Sequence, residues 1–304
     1  MYKNKSDPAR LRLAAVLAVG VFMSGRAIEA QGATAHLNVG GGVRALGLGQ
    51  AYSAIAEDSQ TIYFNPAGLA NLSSFQISGM GSPQKLDQTA WSMDFGFPFK
   101  EVGGFGFGTT GLQIKDIITR DLEFDLPKTV SSLESVLILG YGHKLRKNLS
   151  VGLTGQYTYH RFFGLSAHAN GYALNLGLHY RPHQLKKLSL GVVGQNLLGK
   201  RFWSTGRHES LSFLGRVGAS YNLFPWLLAN TETELGNRRV RGHGGVELRY
   251  GRLAVRGGAN HNQFTAGFGI FMPAAGRKLQ FDYAAALEFR ELHDVHRVGL
   301  SFSF

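Results

Sequence analysis

The 304-residue chain contains no cysteine, which removes disulfide frameworks, thiolate zinc sites and cysteine nucleophiles together. Charge is scarce as well: Asp, Glu, Lys and Arg make up 17%, against about 25% in an average globular chain. Beyond residue 25 no uncharged apolar run approaches the roughly 18 residues that a spanning helix requires. Disorder is excluded by the opposite observation, since aromatic residues reach 12% and are spread along the whole chain. What is abundant is glycine, with 41 residues, nearly twice the usual share of about 7%. These limits leave a glycine- and aromatic-rich all-β protein.

The N-terminus has the order of a secretory signal. Lys3, Lys5, Arg10 and Arg12 precede an apolar stretch from Leu13 to Met23, and small residues follow around Ala30-Gln31-Gly32-Ala33. That is a charged region, an apolar region too short to span, and a cleavage region. The sequence therefore divides into a signal peptide (1–32), a segment of 33–73 and a long remainder of 74–304. Losing the first 30 residues removes five basic and two acidic groups and lowers the formal charge from +12 to about +9.

From residue 74 onward, apolar residues recur at every second position. Trp91, Met93, Phe95, Phe97 and Phe99 form one such run; Tyr172, Leu174, Leu176, Leu178 and Tyr180 form another; Leu279 to Phe289 and Val298 to Phe304 continue the pattern. Alternation of this kind is a strand with one apolar and one polar face. Soluble sandwiches use strands of about five or six residues, whereas these runs are about ten long, the length a tilted strand needs to cross a bilayer. Turn residues delimit about fourteen segments: 74–82, 89–97, 104–114, 133–144, 149–160, 170–181, 188–197, 212–222, 226–236, 242–250, 252–260, 263–272, 278–288 and 295–304. The expected fold is an antiparallel transmembrane β-barrel of about fourteen strands. An even count places both termini at one end. The two longest connections, 115–132 and 198–211, then fall at the opposite end, and the connections on the terminal side are all short, as in outer-membrane barrels.

Glycines such as Gly152, Gly177, Gly191 and Gly218 lie in or near the polar-face series, where they let an internal segment approach the wall. Trp91, Phe99, Tyr157, Tyr159, Tyr180, Tyr221 and Tyr250 suit interfacial girdles. The remaining polar-face residues are Asp94, Gln156, Asn175, His179, Arg181, Arg216, Glu232, Glu234, Glu247, Arg249, Asp282, Glu288, Arg290 and Arg297. They predict a lumen of mixed charge whose opposite signs pair. Lys144, Arg146, Lys147, Lys186, Lys187, Arg277 and Lys278 cluster in the short connections, suited to lipid phosphates or an acidic partner.

Catalytic patterns are weak. His179/His183 and His293/His296 have metal-like spacings, but in a strand residues four apart are about 13 Å apart and residues three apart face opposite ways. G-x-S-x-G and H-E-x-x-H are absent. The sequence thus predicts no enzyme, no metal and no cofactor, and the compartment argues against nucleic acid.

The most specific stretch is 40–72, which contains RALGLG and AIAEDSQTIYFNPAGLA. Asn65-Pro66 initiates a turn, Ala67-Gly68 permits close backbone packing, and Arg44 and Asp58 are available to pair with lumen charges. These strings, with Gly47 and Gly49, resemble the N-terminal motif of the FadL-like outer-membrane superfamily, in particular its PorV/PorQ branch. The motif covers about 35 residues, and the strand count, the signal and the terminal Phe agree with the family elsewhere. The alternating C-terminal run ending in Phe302 and Phe304 likewise resembles the signal by which outer-membrane barrels are recognised for insertion. The resemblance implies a bacterial outer-membrane location and an N-terminal plug in the lumen. For the PorV/PorQ branch it implies a non-enzymatic partner of type IX-like protein secretion or of another outer-membrane complex, with a protein and outer-membrane lipid as partners. The FadL-like alternative is a transporter of long-chain fatty acids or other hydrophobic compounds, with a hydrophobic ligand.

Overall fold

The computed structural model describes residues 41–84, 87–99, 102–120, 127–236, 239–274, 277–289 and 294–304. The expected signal peptide, residues 33–40 of the following segment, and Arg290 and His293 lie outside them. The strands are β1 (Gln76–Gln84), β2 (Gln88–Phe99), β3 (Gly103–Arg120), β4 (Pro127–Arg146), β5 (Leu149–Phe163), β6 (His168–Tyr180), β7 (Leu188–Trp203), β8 (His208–Ser210), β9 (Leu214–Phe224), β10 (Leu227–Gly236), β11 (Arg239–Tyr250), β12 (Leu253–Asn260), β13 (Gln263–Ala274), β14 (Arg277–Glu288) and β15 (Val295–Ser303).

Fourteen of them close into an antiparallel ring, in which each strand pairs with its sequence neighbour, β7 pairs with β9, and β15 returns to β1. The short β8 pairs only with the far end of β7. Closure leaves no unpaired edge, which is the condition for strands to span a bilayer. Period two is the reason for the partition of side chains: on β6, Ala169, Ala173, Asn175 and His179 are buried, while Tyr172, Leu174, Leu176 and Leu178 are exposed. Trp91, Phe99, Tyr157 and Tyr250 are also exposed apolar or amphipathic side chains.

The seam of the ring involves the chain terminus. Ile77 is opposite Phe302, the Phe304 N–H donates to the Phe75 carbonyl at 3.0 Å, and the Phe302 and Phe304 rings lie 4.7 Å apart with the Arg277 guanidinium over Phe304.

Two expected loops are mostly strand. β3 and β4 continue through 115–120 and 127–132, pairing Ile117 with Val130 and Ile118 with Thr129 beyond a bulge at Ile114/Ile117 where Asp116 has φ 55°. β-branched residues on both sides favour extension, and the bulge shifts the alternation by which the strand would be read. In the same way β7 runs to Trp203 and β8 folds back on it, pairing Phe202 with His208. The wall is consequently uneven: β3 and β4 contain 18 and 20 residues, β12 only 8.

Inside the ring lies the segment 41–72. It comprises α1 (Val43–Gly47), an irregular stretch, α2 (Thr61–Phe64) and a 3-10 helix, Pro66–Asn71. Asn65 starts the 3-10 helix by accepting from the Ala67 N–H at 3.1 Å, with Pro66 in the first position where no N–H is required. Ala45, Leu48, Tyr52, Ile62, Ala67 and Leu69 are each no more than 1% exposed, so the segment supplies the apolar core that an open ring would lack.

Candidate functional site

The contact between the inner segment and the inner wall differs around the ring. Against β2 to β7 it is a contact of shape. Ile62, Leu69 and Leu72 pack with Val136 and Ile138 of β4, and glycines stand where the backbones meet. A Cβ on Gly152 would lie 2.2 Å from the Pro66 carbonyl carbon, and one on Gly177 would lie 2.1 Å from Asn65 Oδ1. Few polar bonds supplement this packing. Asn65 Nδ2 donates to the Ser53 carbonyl at 2.7 Å and to the Leu178 carbonyl at 3.0 Å. Tyr63 Oη donates to the Met93 carbonyl at 2.8 Å, and His179 Nε2 is 3.2 Å from the Ala54 carbonyl. Asp94 accepts from Ser59 Oγ at 2.5 Å.

Against β9 to β14 glycines meet the segment just as closely, an added Cβ lying 2.6 Å from the Leu48 carbonyl oxygen at Gly245 and 2.4 Å from the Gly49 nitrogen at Gly258, but here charge is added to shape. Arg44 Nε and Nη2 donate to the two oxygens of Glu247 at 2.9 and 3.0 Å, and the same guanidinium reaches Asp58 at 3.1 Å and Glu57 at 3.2 Å. Glu247, with no exposed side-chain surface, also accepts from Arg256 Nε at 2.7 Å and from Arg249 Nη2 at 2.6 Å. Arg256 continues the chain to Asp282 at 2.5 Å. Bidentate charged bonds of this kind are among the strongest available, and in a low-dielectric interior each group depends on its partners. The Tyr52 phenol donates to Asp58, and burial raises its pKa well above the ordinary value.

A second charged cluster binds the backbone of the segment. Glu232 accepts from the Tyr52 and Ser53 N–H groups at 3.0 and 2.7 Å and from Arg216 at 3.0 Å. Arg216 also pairs with Glu234 at 2.7 Å. His243 Nδ1 is 3.0 Å from the Gly49 carbonyl, and Asn230 donates to the Ala51 carbonyl. Gly49 needs to be glycine, because its φ of +66° and the Gly244 carbonyl, 2.4 Å from its ideal Cβ position, both exclude a side chain. Gly47 accepts from Thr265 Oγ1 at 3.4 Å, and Gly68 packs against Thr61.

Of the residues expected to face the lumen, the structure brings Asp94, Arg216, Glu232, Glu247, Asp282 and Arg297 onto the inner wall as buried groups. Arg249 stands at one end of the β11 inner series and is partly exposed, and Glu288 is half-buried at the opposite end of the β14 inner series. Arg181 stands just past the end of β6 at Tyr180 and is exposed, its N–H donating to the Asn148 carbonyl at 2.9 Å. Arg297 is buried opposite Ala284 on the neighbouring strand, and among the described residues its guanidinium bonds to the Gly42 carbonyl, at 3.4 Å, with Nε unpartnered. Arg256 and His243, which complete the two clusters, are missing from the sequence-based series, although both occupy inward positions of their strands.

No family model and no curated protein matches the chain. Its fold is shared with solved barrels. The toluene transporter TbuX of Ralstonia pickettii is 13% identical, with a TM-score of 0.57 over 86% of this chain and 97% of that one. The monoaromatic hydrocarbon channel CymD is 12% identical, with a TM-score of 0.61 over 88% and 98%. A FadL homologue of Pseudomonas aeruginosa is 9% identical, with a TM-score of 0.57 over 87% and 98%. At these identities the likeness is one of fold.

Proposed function

We propose that the chain is an outer-membrane barrel that admits a small hydrophobic compound, and that the segment 41–72 is a plug that shifts to let it pass. The observation that carries this reading is a closed fourteen-stranded ring with a segment of its own chain folded inside it, in a fold shared with hydrocarbon transporters and channels. The outer face supplies the apolar band that a bilayer requires. The role suggested for the inner residues is mechanical: Arg44, Asp58 and Glu247 lock one side of the plug, and Asn65, Pro66, Ala67 and Gly68 seat the other. No step in this account is catalytic, and none needs a cofactor.

The test is uptake by proteoliposomes or by cells producing the chain. Entry of an apolar aromatic or a fatty acid should rise above the empty control, while entry of a small sugar should not, since the lumen is filled. Equal uptake of the hydrophobic compound with and without the chain would contradict the reading. A second reading, a non-enzymatic partner in a type IX-like secretion complex, is favoured by one observation: the lumen is locked by buried ion pairs, which suits a barrel that never opens. Co-purification of a secretion component from native membranes, together with unchanged uptake, would favour it.

A further inference from the structure

At the end of the barrel that carries the short connections, the β4–β5 turn and the β6–β7 turn are tied by the bond from the Arg181 N–H to the Asn148 carbonyl. Between them is a cavity of about 410 Å³ lined by Arg146, Lys147, Asn148, Leu149, Tyr180 and His183. Its base is cationic. In sequence, Glu101 is the single acidic residue of the short connections at this end, while Arg181, Lys186 and Arg252 add to the positive field. Its upper edge is apolar. Leu149 and Tyr180 are a cross-strand pair, and the same register continues outward-facing through Val151 with Leu178, Leu153 with Leu176, and Gly155 with Leu174. The ladder ends at the exposed pair Tyr157 and Tyr172, about 27 Å from its start at 3.4 Å per residue. That is close to the height of the apolar band of an outer-membrane barrel, about 25 Å. Opposite the Gly155 position the nearest atom to an added Cβ is Leu174 at 4.0 Å, so the ladder is indented there.

We propose that this cavity binds the phosphate of an anionic phospholipid, with Arg146, Lys147 and His183 around the headgroup and an acyl chain laid along the β5–β6 ladder. The continuity between a cationic hollow and an aligned apolar track favours a lipid over an acidic peptide, which would have no use for the track. The proposal rests on the reading of the barrel as membrane-inserted.

Native mass spectrometry of the full chain, folded in detergent and offered phosphatidylglycerol or phosphatidylcholine with the same acyl chains, tests it. Wild type should retain phosphatidylglycerol preferentially. Each cation near an anionic surface is worth about a fivefold change, so Arg146→Gln with Lys147→Gln should lower phosphatidylglycerol retention about 25-fold and leave phosphatidylcholine unchanged. Lys187→Gln, whose amine donates to the Leu223 carbonyl outside the cavity, should change neither. Leu176→Asn should weaken both lipids. Equal retention of the two lipids by wild type, an unchanged preference in the double variant, or full competition by glycerol phosphate would overturn the proposal. Each variant is also checked for insertion into vesicles: a wild-type barrel that does not insert refutes the membrane reading, whereas one that inserts without a lipid preference refutes the site alone.

Discussion

Both halves of the inner wall approach the segment through glycines, but only one of them adds ion pairs. From β2 to β7 glycines remove side chains so that backbones touch, and apolar groups fill what remains. From β9 to β14 the wall sends out long charged side chains that meet Arg44 and the backbone around Tyr52. The difference matters for a plug. A contact of shape loses its dispersion energy gradually as the surfaces separate, whereas a buried ion pair that is broken leaves uncompensated charge and resists motion until water enters. On the proposed reading the half with ion pairs is the latch and the half held by packing alone is the seat.

Substitutions at matched positions test that division. Glu247→Leu should have the largest effect, because it leaves Arg44, Arg249 and Arg256 without their shared carboxylate; a loss of about 3–5 kcal/mol in urea unfolding is expected, with the inner segment becoming sensitive to protease. An unchanged unfolding midpoint would remove the latch from the account. Gly152→Val should cost up to about 3 kcal/mol by overpacking against Pro66, while Gly81→Ala, with nothing within 4 Å of its Cβ position, should cost little. Were the two glycines to respond alike, the seat would not depend on close approach. Asn65→Ala removes a cap and two bonds to carbonyls and should cost about 1–2 kcal/mol by the same measurement. Arg297→Met should go the other way, stabilising by about 1 kcal/mol, since it replaces a buried guanidinium lacking a carboxylate partner among the described residues with an apolar chain. A destabilised Arg297→Met would show that this arginine has a partner in the folded barrel.

Much of the ring could be read from the chain because period two is a local property. Trp91 to Phe99 and Tyr172 to Tyr180 declare their outward faces by themselves, and the fourteen expected segments all correspond to ring strands. Reading failed where parity breaks. The bulge near Asp116 and the positive φ values of Asn196 and Leu198 shift the alternation within β3 and β7, so the strands extend past the ends assigned to them. The glycine-rich run from Gly242 to Gly269 obscured the inward positions of His243 and Arg256. Pairing partners were not legible at all: Arg44 and Glu247 are 203 residues apart, and only the closed register of the ring brings them together. The NPAGLA string was legible as a turn whose glycine permits close packing, but Thr61 as the group that packs there was not.

The absence of native cysteine makes one measurement especially direct. The ideal Cβ of Gly218 lies 2.4 Å from Ser53 Oγ, so Ser53→Cys with Gly218→Cys places a single thiol pair between the inner segment and the wall. If the plug must shift for a hydrophobic compound to pass, uptake is lost when this disulfide forms and returns when it is reduced. Uptake that is equally fast in the oxidised and reduced barrels would contradict the account.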